Sequence, residues 1–288
     1  MRKRDQSSDE EFNLKKLLYC ARSLAGNMKS RAASRIERVF SPPSRPIASG
    51  NLKSGVYPLR IPLSTGPSSG WKPYQLFSGG TSGAEAFSCH ASALDNSVRP
   101  HPPHRHREEE LLLLLAGEVD LFLPDSMPNN TATSLTLKPG QFVYYPAGFA
   151  HTLQTSSDIA ANYLMFKWHG TGAETGKTLS FDRFDMPISP GDAEPEGKGF
   201  QPQLVFSGKT VYLKTLQCHV STLSPGAGYA PHADAYDVAV VVLKGEVETL
   251  GVRAKPYDTI YYAAGEPHGM RNPGSSAALY VVFEFHGS

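Results

Sequence analysis

The chain has 288 residues, of which 40% are hydrophobic and 10% aromatic, so it can bury a substantial core and is not a disordered protein. Its net charge is +1, which excludes a whole-chain nucleic-acid binder. The longest uninterrupted apolar run, Leu111 to Ala116, is far shorter than the roughly 20 residues of a membrane span.

Residues 1–46 are predicted to form a basic N-terminal extension and linker. Apolar residues between Glu11 and Arg38 have helical spacing, and Ser-Pro-Pro-Ser-Arg-Pro follows at 41–46. The extension lacks the apolar core of a secretory signal, and the three cysteines of the chain are too scattered for a disulfide framework. We therefore expect a cytoplasmic protein with a partly helical extension.

The rest of the chain contains one pattern twice. Ordered matches across both halves indicate a duplicated domain of about 100 to 120 residues, which we place at 71–170 and 200–288. The matched pairs include Phe77-Ser78-Gly79 with Phe206-Ser207-Gly208, Gly117-Glu118-Val119 with Gly245-Glu246-Val247, and Tyr144-Tyr145 with Tyr261-Tyr262.

Each copy is predicted to consist of short β-strands. In the first copy, Leu111–Leu115 and Val119–Leu123 flank Gly117 and are expected to pair as a hairpin. Many short strands at regular spacing are typical of an all-β sandwich or barrel. Further strands are expected at Phe142–Tyr145, Asn162–Trp168, Val238–Leu243, Thr259–Tyr262 and Leu279–Phe285.

The first copy contains a candidate metal site. His104 and His106 are two residues apart, so on a strand both rings point to the same face, and Glu110 has the same parity. His151 follows a later strand and turn. Three imidazoles and one carboxylate suit Fe(II), Mn, Co, Ni, Cu or Zn, and they leave one or two coordination positions open for substrate or O₂.

Other residues near this stretch are candidates for the pocket. Glu109, Tyr145 and Arg105 are candidates for proton transfer or substrate binding, with surface exposure as the default expectation for Arg105, and the catalytic residues are left unassigned. His101 is expected at the pocket rim rather than as a ligand. Apolar walls, which would keep water from the ion, are expected from Phe142, Phe149 and Trp168.

These stretches resemble the two motifs of the cupin superfamily. The first motif is matched by His104, His106, Glu110 and Gly117, although Val98 stands where it has a leading glycine. The second is matched by Gly140, Pro146, Gly148 and His151, with Thr155 at its trailing asparagine. The resemblance implies two tandem cupin-type β-barrels (a double-stranded β-helix or jelly roll). It also implies one divalent metal ion, Fe(II) or Mn(II) first, with His104, His106, Glu110 and His151 as ligands.

The second copy keeps the frame of these motifs and loses part of the ligand set. His232 and His268 match the outer histidines, whereas Asp234 stands at the position of His106 and Val238 at that of Glu110. A His-x-Asp pair plus a histidine is chemically adequate for a facial triad. The valine nevertheless predicts a degenerate site given over to packing, in a domain that acts as a structural partner or helps to shape the substrate site.

The resemblance implies three classes of function. We expect a non-haem dioxygenase that acts on a small organic molecule at the first barrel. The alternatives are a non-redox metal-dependent isomerase, lyase or decarboxylase, and a non-catalytic binding or storage bicupin, against which the intact ligand set counts. Expected partners are a small-molecule substrate and O₂, without nucleic acid or membrane, and homo-oligomerisation stays open.

Overall fold

Strands provide the regular structure of this protein. The computed structural model describes residues 51–63, 70–124, 133–156, 158–171, 175–187 and 199–287. Within these ranges the chain is all-β, as the sequence predicts, and contains no α-helix. Accordingly, no helix long and apolar enough for a bilayer is found among the described residues. The helix and linker expected within residues 1–46 lie outside these ranges.

The first copy forms one six-stranded and one three-stranded sheet. Its strands are β2 (Trp71–Gly79), β3 (Ala86–Leu94), β4 (Glu109–Ala116), β5 (Val119–Leu123), β6 (Thr133–Leu137), β7 (Gln141–Tyr145), β8 (Thr152–Thr155), β9 (Ala161–His169) and β10 (Asp182–Asp185). The large sheet has the order β10-β7-β4-β9-β3-β2, and the small sheet has the order β6-β5-β8.

The second copy repeats this arrangement. Its strands are β1 (Gly55–Tyr57), β11 (Phe200–Gly208), β12 (Thr215–Leu223), β13 (Gly228–His232), β14 (Asp237–Lys244), β15 (Val247–Thr249), β16 (Val252–Ala254), β17 (Thr259–Tyr262), β18 (His268–Arg271) and β19 (Ala278–His286). The large sheet has the order β1-β17-β14-β19-β12-β11, and the small one the order β13-β18-β15-β16. The two large sheets correspond strand for strand, so the fold is two tandem barrels.

The barrels exchange one edge strand each. β1 precedes the first copy in the chain but pairs with β17 of the second, with Gly55 opposite Tyr261. β10 precedes the second copy but pairs with β7 of the first, with Asp182 opposite Tyr144. Each large sheet is thus covered at one edge by a strand that leads into the other barrel, which ties the two copies together.

A shared apolar core lies between the two large sheets. It combines side chains from both copies, among them Leu111, Phe166 and Trp168 of the first and Tyr261 and Phe283 of the second. Each barrel also has a core of its own on the opposite face of its large sheet. Because β4 is buried on both faces, it reads as a continuous apolar run rather than as an alternating one.

The hairpin predicted around Gly117 is wrong. β4 pairs with β7 and β9 in the large sheet, whereas β5 pairs with β6 and β8 in the small one. Gly117 turns the chain from one sheet to the other at a φ of 75°, where a Cβ would lie 2.6 Å from the carbonyl oxygen of Ala160. The glycine is therefore required by a close crossing between sheets, not by a two-strand turn.

Glu109 belongs to the shared core, so its predicted role in the pocket is wrong. Its fully buried carboxylate accepts hydrogen bonds from Tyr144 Oη, Trp168 Nε1 and Thr210 Oγ1, each at 2.7 Å, and from the Val211 N–H at 2.8 Å. Thr210 and Val211 lie on a loop that leads into β12 of the second barrel. The carboxylate therefore joins the two barrels and faces away from the predicted metal ligands.

We predict that Glu109→Gln lowers the free energy of unfolding by about 1–3 kcal/mol. The amide group replaces one acceptor oxygen with a donor, so buried donors such as Trp168 Nε1 and Thr210 Oγ1 lose a partner. Chemical denaturation followed by tryptophan fluorescence measures this change. Glu118→Gln, at a surface position, is the control and should change stability by less than about 0.5 kcal/mol. Equal denaturation midpoints for Glu109→Gln and the wild type would contradict the assignment.

Candidate metal centre

The backbone of the first barrel brings the four predicted ligands together. His104 and His151 face each other in an antiparallel bridge, with two backbone hydrogen bonds of 3.2 Å. The turn before His151 is fixed by Gly148, whose φ is 75° and whose N–H donates to the carbonyl oxygen of His106 at 2.8 Å. Glu110 lies on β4, on the inner face of the barrel. Residues distant in sequence thus converge on one point.

Donor atoms of these residues lie close enough to share one ion. One ring nitrogen from each of His104, His106 and His151 lies within 4.8 Å of the others. Glu110 Oε1 lies 3.2 Å from His106 Nε2, and Glu110 Oε2 lies 2.9 Å from His151 Nε2. His106 Nε2 and Glu110 Oε2 are buried, yet neither makes a hydrogen bond with the described residues. Buried polar atoms without a hydrogen-bond partner fit a bound divalent cation, which would displace any proton held there.

Backbone carbonyls orient two of the imidazoles. His106 Nδ1 lies 3.1 Å from the carbonyl oxygen of Glu108, and His151 Nδ1 lies 3.0 Å from that of Phe149. Since a carbonyl oxygen only accepts hydrogen bonds, each Nδ1 carries a hydrogen. The Nε2 atom of each ring therefore faces Glu110, as a metal ligand requires.

The charges at the site are strongly coupled. Burial, together with His101 and His151, lowers the pKa of His104 to about 4. Burial also opposes a charge on His106, but the adjacent carboxylates of Glu108 and Glu110 outweigh it and raise the pKa of His106 to about 9. Without an ion, His106 thus holds a proton between two carboxylates. A metal ion would take the place of that proton.

Lys167 is a functional candidate that the sequence analysis missed. It lies on β9 directly opposite Glu110, and its Nζ is 2.7 Å from Glu110 Oε1. Burial opposes its charge, but Glu110 outweighs burial and raises the pKa of Lys167 above its usual value. Conversely, burial opposes the charge of Glu110, while Lys167 and His151 hold its pKa well below the usual range. A charged lysine within an otherwise apolar predicted strand could have drawn attention to Lys167. Its pairing with Glu110, however, depends on the strand register, which the sequence does not show.

Tyr145 lies beside the ligands, where the sequence analysis expects a pocket residue. Its ring stacks on the ring of His151 with 4.2 Å between centroids. Its hydroxyl is buried and makes no hydrogen bond with the described residues. Burial, followed by the charge of Glu110, raises the pKa of Tyr145 well above its usual value. The side chain is therefore a neutral phenol with a free hydroxyl.

Of the other residues considered for the pocket, Arg105 has the exposure expected of it, whereas the expectation for Phe142 and Trp168 is corrected. Arg105 is exposed and donates to the carbonyl oxygen of Gly148 at 2.8 Å, because it points away from the face that carries the histidines on either side of it. Phe142 and Trp168 do not wall the ion, because both belong to the shared core between the barrels. Phe149 stacks on Phe181 next to Tyr145.

His101 lies at the edge of the site, as expected. Its ring is 4.1 Å from the ring of His104, and its Nδ1 is 3.1 Å from the carbonyl oxygen of Pro102. It is not among the three histidines whose nitrogens converge. It therefore packs against a ligand and supports the position of that ligand.

Comparison with known proteins finds one matching family model and several similar structures. Residues 88–186 match the family model of the cupins. Similar solved structures include a variant of Bacillus subtilis oxalate decarboxylase (12% identity, 84% of this chain and 79% of that chain covered, TM-score 0.55). A cupin 2 conserved barrel domain protein from Leptotrichia buccalis is also similar (12% identity, 79% and 99% covered, TM-score 0.53).

A third similar structure is a bacterial pirin from Escherichia coli in complex with nickel(II), with 16% identity, 76% of this chain and 93% of that chain covered, and a TM-score of 0.54. Comparison with curated protein sequences finds no match. At these identities the structural matches establish the fold alone, and the cupin model covers the barrel that carries the four converging residues. The first barrel thus matches the cupin family over residues 88–186, and the chain has the fold of two cupin-type barrels in tandem.

Proposed function

We propose that the first barrel holds one divalent transition-metal ion and that the protein is a metal-dependent enzyme acting there on a small organic anion. The observation that carries this proposal is the convergence of three imidazoles on Glu110, with buried donor atoms that lack hydrogen bonds. His104, His106, Glu110 and His151 would hold the ion. Their mixed nitrogen and oxygen donors make Fe(II) and Mn(II) the first candidates.

The side chains around the ion favour an anionic substrate. The ammonium group of Lys167 lies 2.7 Å from Glu110, on the wall next to the ligands. In a partly buried site, a charge-assisted hydrogen bond from this ammonium would bind and orient a carboxylate. The bound metal supplies a Lewis acid that polarises a carboxylate or carbonyl oxygen. The neutral hydroxyl of Tyr145 is a hydrogen-bond donor close to the same point.

The polar side chains of Lys167 and Tyr145 beside the ligands favour non-redox chemistry over the dioxygenase expected from the sequence. Such chemistry includes the reactions of a decarboxylase, a lyase or an isomerase. The dioxygenase expectation depended partly on Phe142 and Trp168 as apolar walls, and both lie in the shared core. Oxalate decarboxylase, one of the similar structures, is by its name an enzyme for a small dicarboxylate, which supports the assignment to anions. A dioxygenase at the same ion is the second candidate, because four ligands leave room for both O₂ and substrate.

We predict that His106→Ala lowers the bound metal content by about one ion per chain, because it removes a central donor of the cluster. Inductively coupled plasma mass spectrometry of protein purified without chelators measures the content. Arg105→Ala alters the adjacent, outward-facing side chain and should retain the metal. Equal metal content in His106→Ala and the wild type would show that this site does not hold the ion.

We predict that Lys167→Met raises the dissociation constant for oxalate about 10- to 100-fold while the metal is retained, because the ammonium partner of the carboxylate is lost. Isothermal titration calorimetry on the metal-loaded protein measures binding. Lys167→Arg should recover part of the affinity. The control is Lys138→Met, whose side chain is mostly exposed, and it should bind as the wild type does. Unchanged oxalate binding in Lys167→Met would refute the role of this lysine.

We predict that turnover of a small carboxylate by the metal-loaded protein consumes no O₂. An oxygen electrode measures consumption, and nuclear magnetic resonance of the products follows turnover in the same samples. The panel contains oxalate, glyoxylate and pyruvate, together with aromatic diols and small diketones. Oxygen uptake coupled to conversion of a diol or diketone would instead support the dioxygenase.

A further inference from the structure

The second barrel keeps the backbone that positions ligands in the first. His232 and His268 are opposite each other in the β13–β18 pair, as His104 and His151 are in the first barrel. Gly265 donates its N–H to the carbonyl oxygen of Asp234 at 2.7 Å, at a φ of 79°. This is the equivalent of the bond from Gly148. The frame of the site is thus intact, although Val238 replaces the carboxylate.

Three donor atoms converge on this frame. Asp234 Oδ2 lies 3.3 Å from His268 Nε2 and 3.7 Å from His232 Nε2. Metal–ligand bonds of about 2.1 Å give distances of roughly 3.0–3.4 Å between neighbouring donors, so a small adjustment would enclose an ion. His232 Nδ1 and His268 Nδ1 face the carbonyl oxygens of Ala230 and Glu266, at 3.3 Å and 3.0 Å. Both Nε2 lone pairs therefore face the aspartate.

The second barrel is not filled by packing, contrary to the expectation of a degenerate site. A cavity of about 540 Å³ lies next to the three donors, within the size range of small-molecule sites. Two carboxylates, Asp234 and Glu284, line it, and none of the described lining residues is a lysine or arginine. The hydroxyl of Tyr280, in the same wall, is buried and makes no hydrogen bond with the described residues. Such a cavity favours a cation and a ligand that bonds to this hydroxyl.

The charge next to the cluster is reversed between the barrels. In the first barrel, Lys167 is opposite Glu110 in the strand register. At the equivalent position of the second, Glu284 is opposite Val238. Glu284 Oε2 accepts a hydrogen bond from Gln217 at 3.2 Å and lies 2.9 Å from His286 Nε2, so the carboxylate is held on the cavity wall. His219 Nε2 lies 3.3 Å from Glu284 Oε1, so imidazoles flank the carboxylate in place of an ammonium group. An anion that suits the first site is therefore less favourable in the second cavity.

We propose that the second barrel binds a divalent transition-metal ion through His232, Asp234 and His268, and that this centre takes neutral hydroxyl compounds in preference to carboxylates. Three protein donors leave several coordination positions for such ligands. The carboxylate of Glu284 disfavours anions in the cavity, and Tyr280 offers a hydrogen bond to a hydroxyl group. The protein thus has two centres with different ligand selectivity, and the second does not depend on the function proposed for the first.

The test is a Co(II) titration of the full chain, followed by visible absorbance and by metal analysis after dialysis. The wild type should bind about two ions, whereas His106→Ala and Asp234→Asn should bind about one each. His232→Gln provides a second variant of the new site, and thermal melting checks that each variant is folded. Asp182→Asn, at an exposed position that belongs neither to the second cavity nor to the first cluster of ligands, should behave as the wild type does.

Selectivity is read from the Co(II) spectrum of His106→Ala, in which the remaining ion is in the second barrel. Benzyl alcohol should shift this spectrum and acetate should not, whereas the additional change Glu284→Gln should make it sensitive to acetate. If neither Asp234→Asn nor His232→Gln loses an ion, or if acetate shifts the spectrum of His106→Ala more than benzyl alcohol does, the proposal is wrong. If His106→Ala retains all the metal of the wild type, the function proposed for the first barrel fails and the second centre stands.

Discussion

The packing of the two large sheets against each other is the constraint on which both sites depend. Because β4 and β14 are buried on both faces, their successive residues divide between the shared core and the inside of a barrel. Glu109 and Glu110 are neighbours in sequence, yet one joins the barrels and the other faces the histidines. A shift of one residue in register would exchange these roles and leave the wrong carboxylate in the apolar core.

Both carboxylates are buried, and each is compensated in a different way. Four neutral donors satisfy Glu109, and no lysine or arginine is needed to hold it in place. Lys167 and imidazoles surround Glu110, so this carboxylate lies in a network of ionisable groups. Neutral donors give a rigid structural contact, whereas ionisable partners can exchange a proton for a metal ion. The difference explains why one carboxylate is structural and its neighbour a candidate ligand.

Duplication preserved the backbone of the site more strictly than its side chains. Gly148 and Gly265 make the same turn, and the same pairs of histidines lie opposite each other. In contrast, Glu110 and Lys167 of the first barrel are replaced by Val238 and Glu284 in the second. A different pair of residues at these two cross-strand positions thus changes the charge inside the barrel. The strands keep the same pairing, because backbone groups and not these side chains make the hydrogen bonds between strands.

The sequence by itself determined the all-β class, the duplication and the residues that converge at the first site. These features depend on local spacing: the alternation of His104, His106 and Glu110 predicts that they face one side, although only Glu110 lies on a strand, β4. Two copies of one pattern likewise require two similar folds. Only the tertiary structure decided that Gly117 crosses between sheets and that Glu109 joins the barrels. It also decided that Lys167 lies beside Glu110 and that Glu284 lines the cavity of the second barrel. Each of these depends on strand register and on the packing of one sheet against another, which join residues far apart in the chain. The open second cavity belongs to the same group, because a valine at one position does not reveal the space that the surrounding walls enclose.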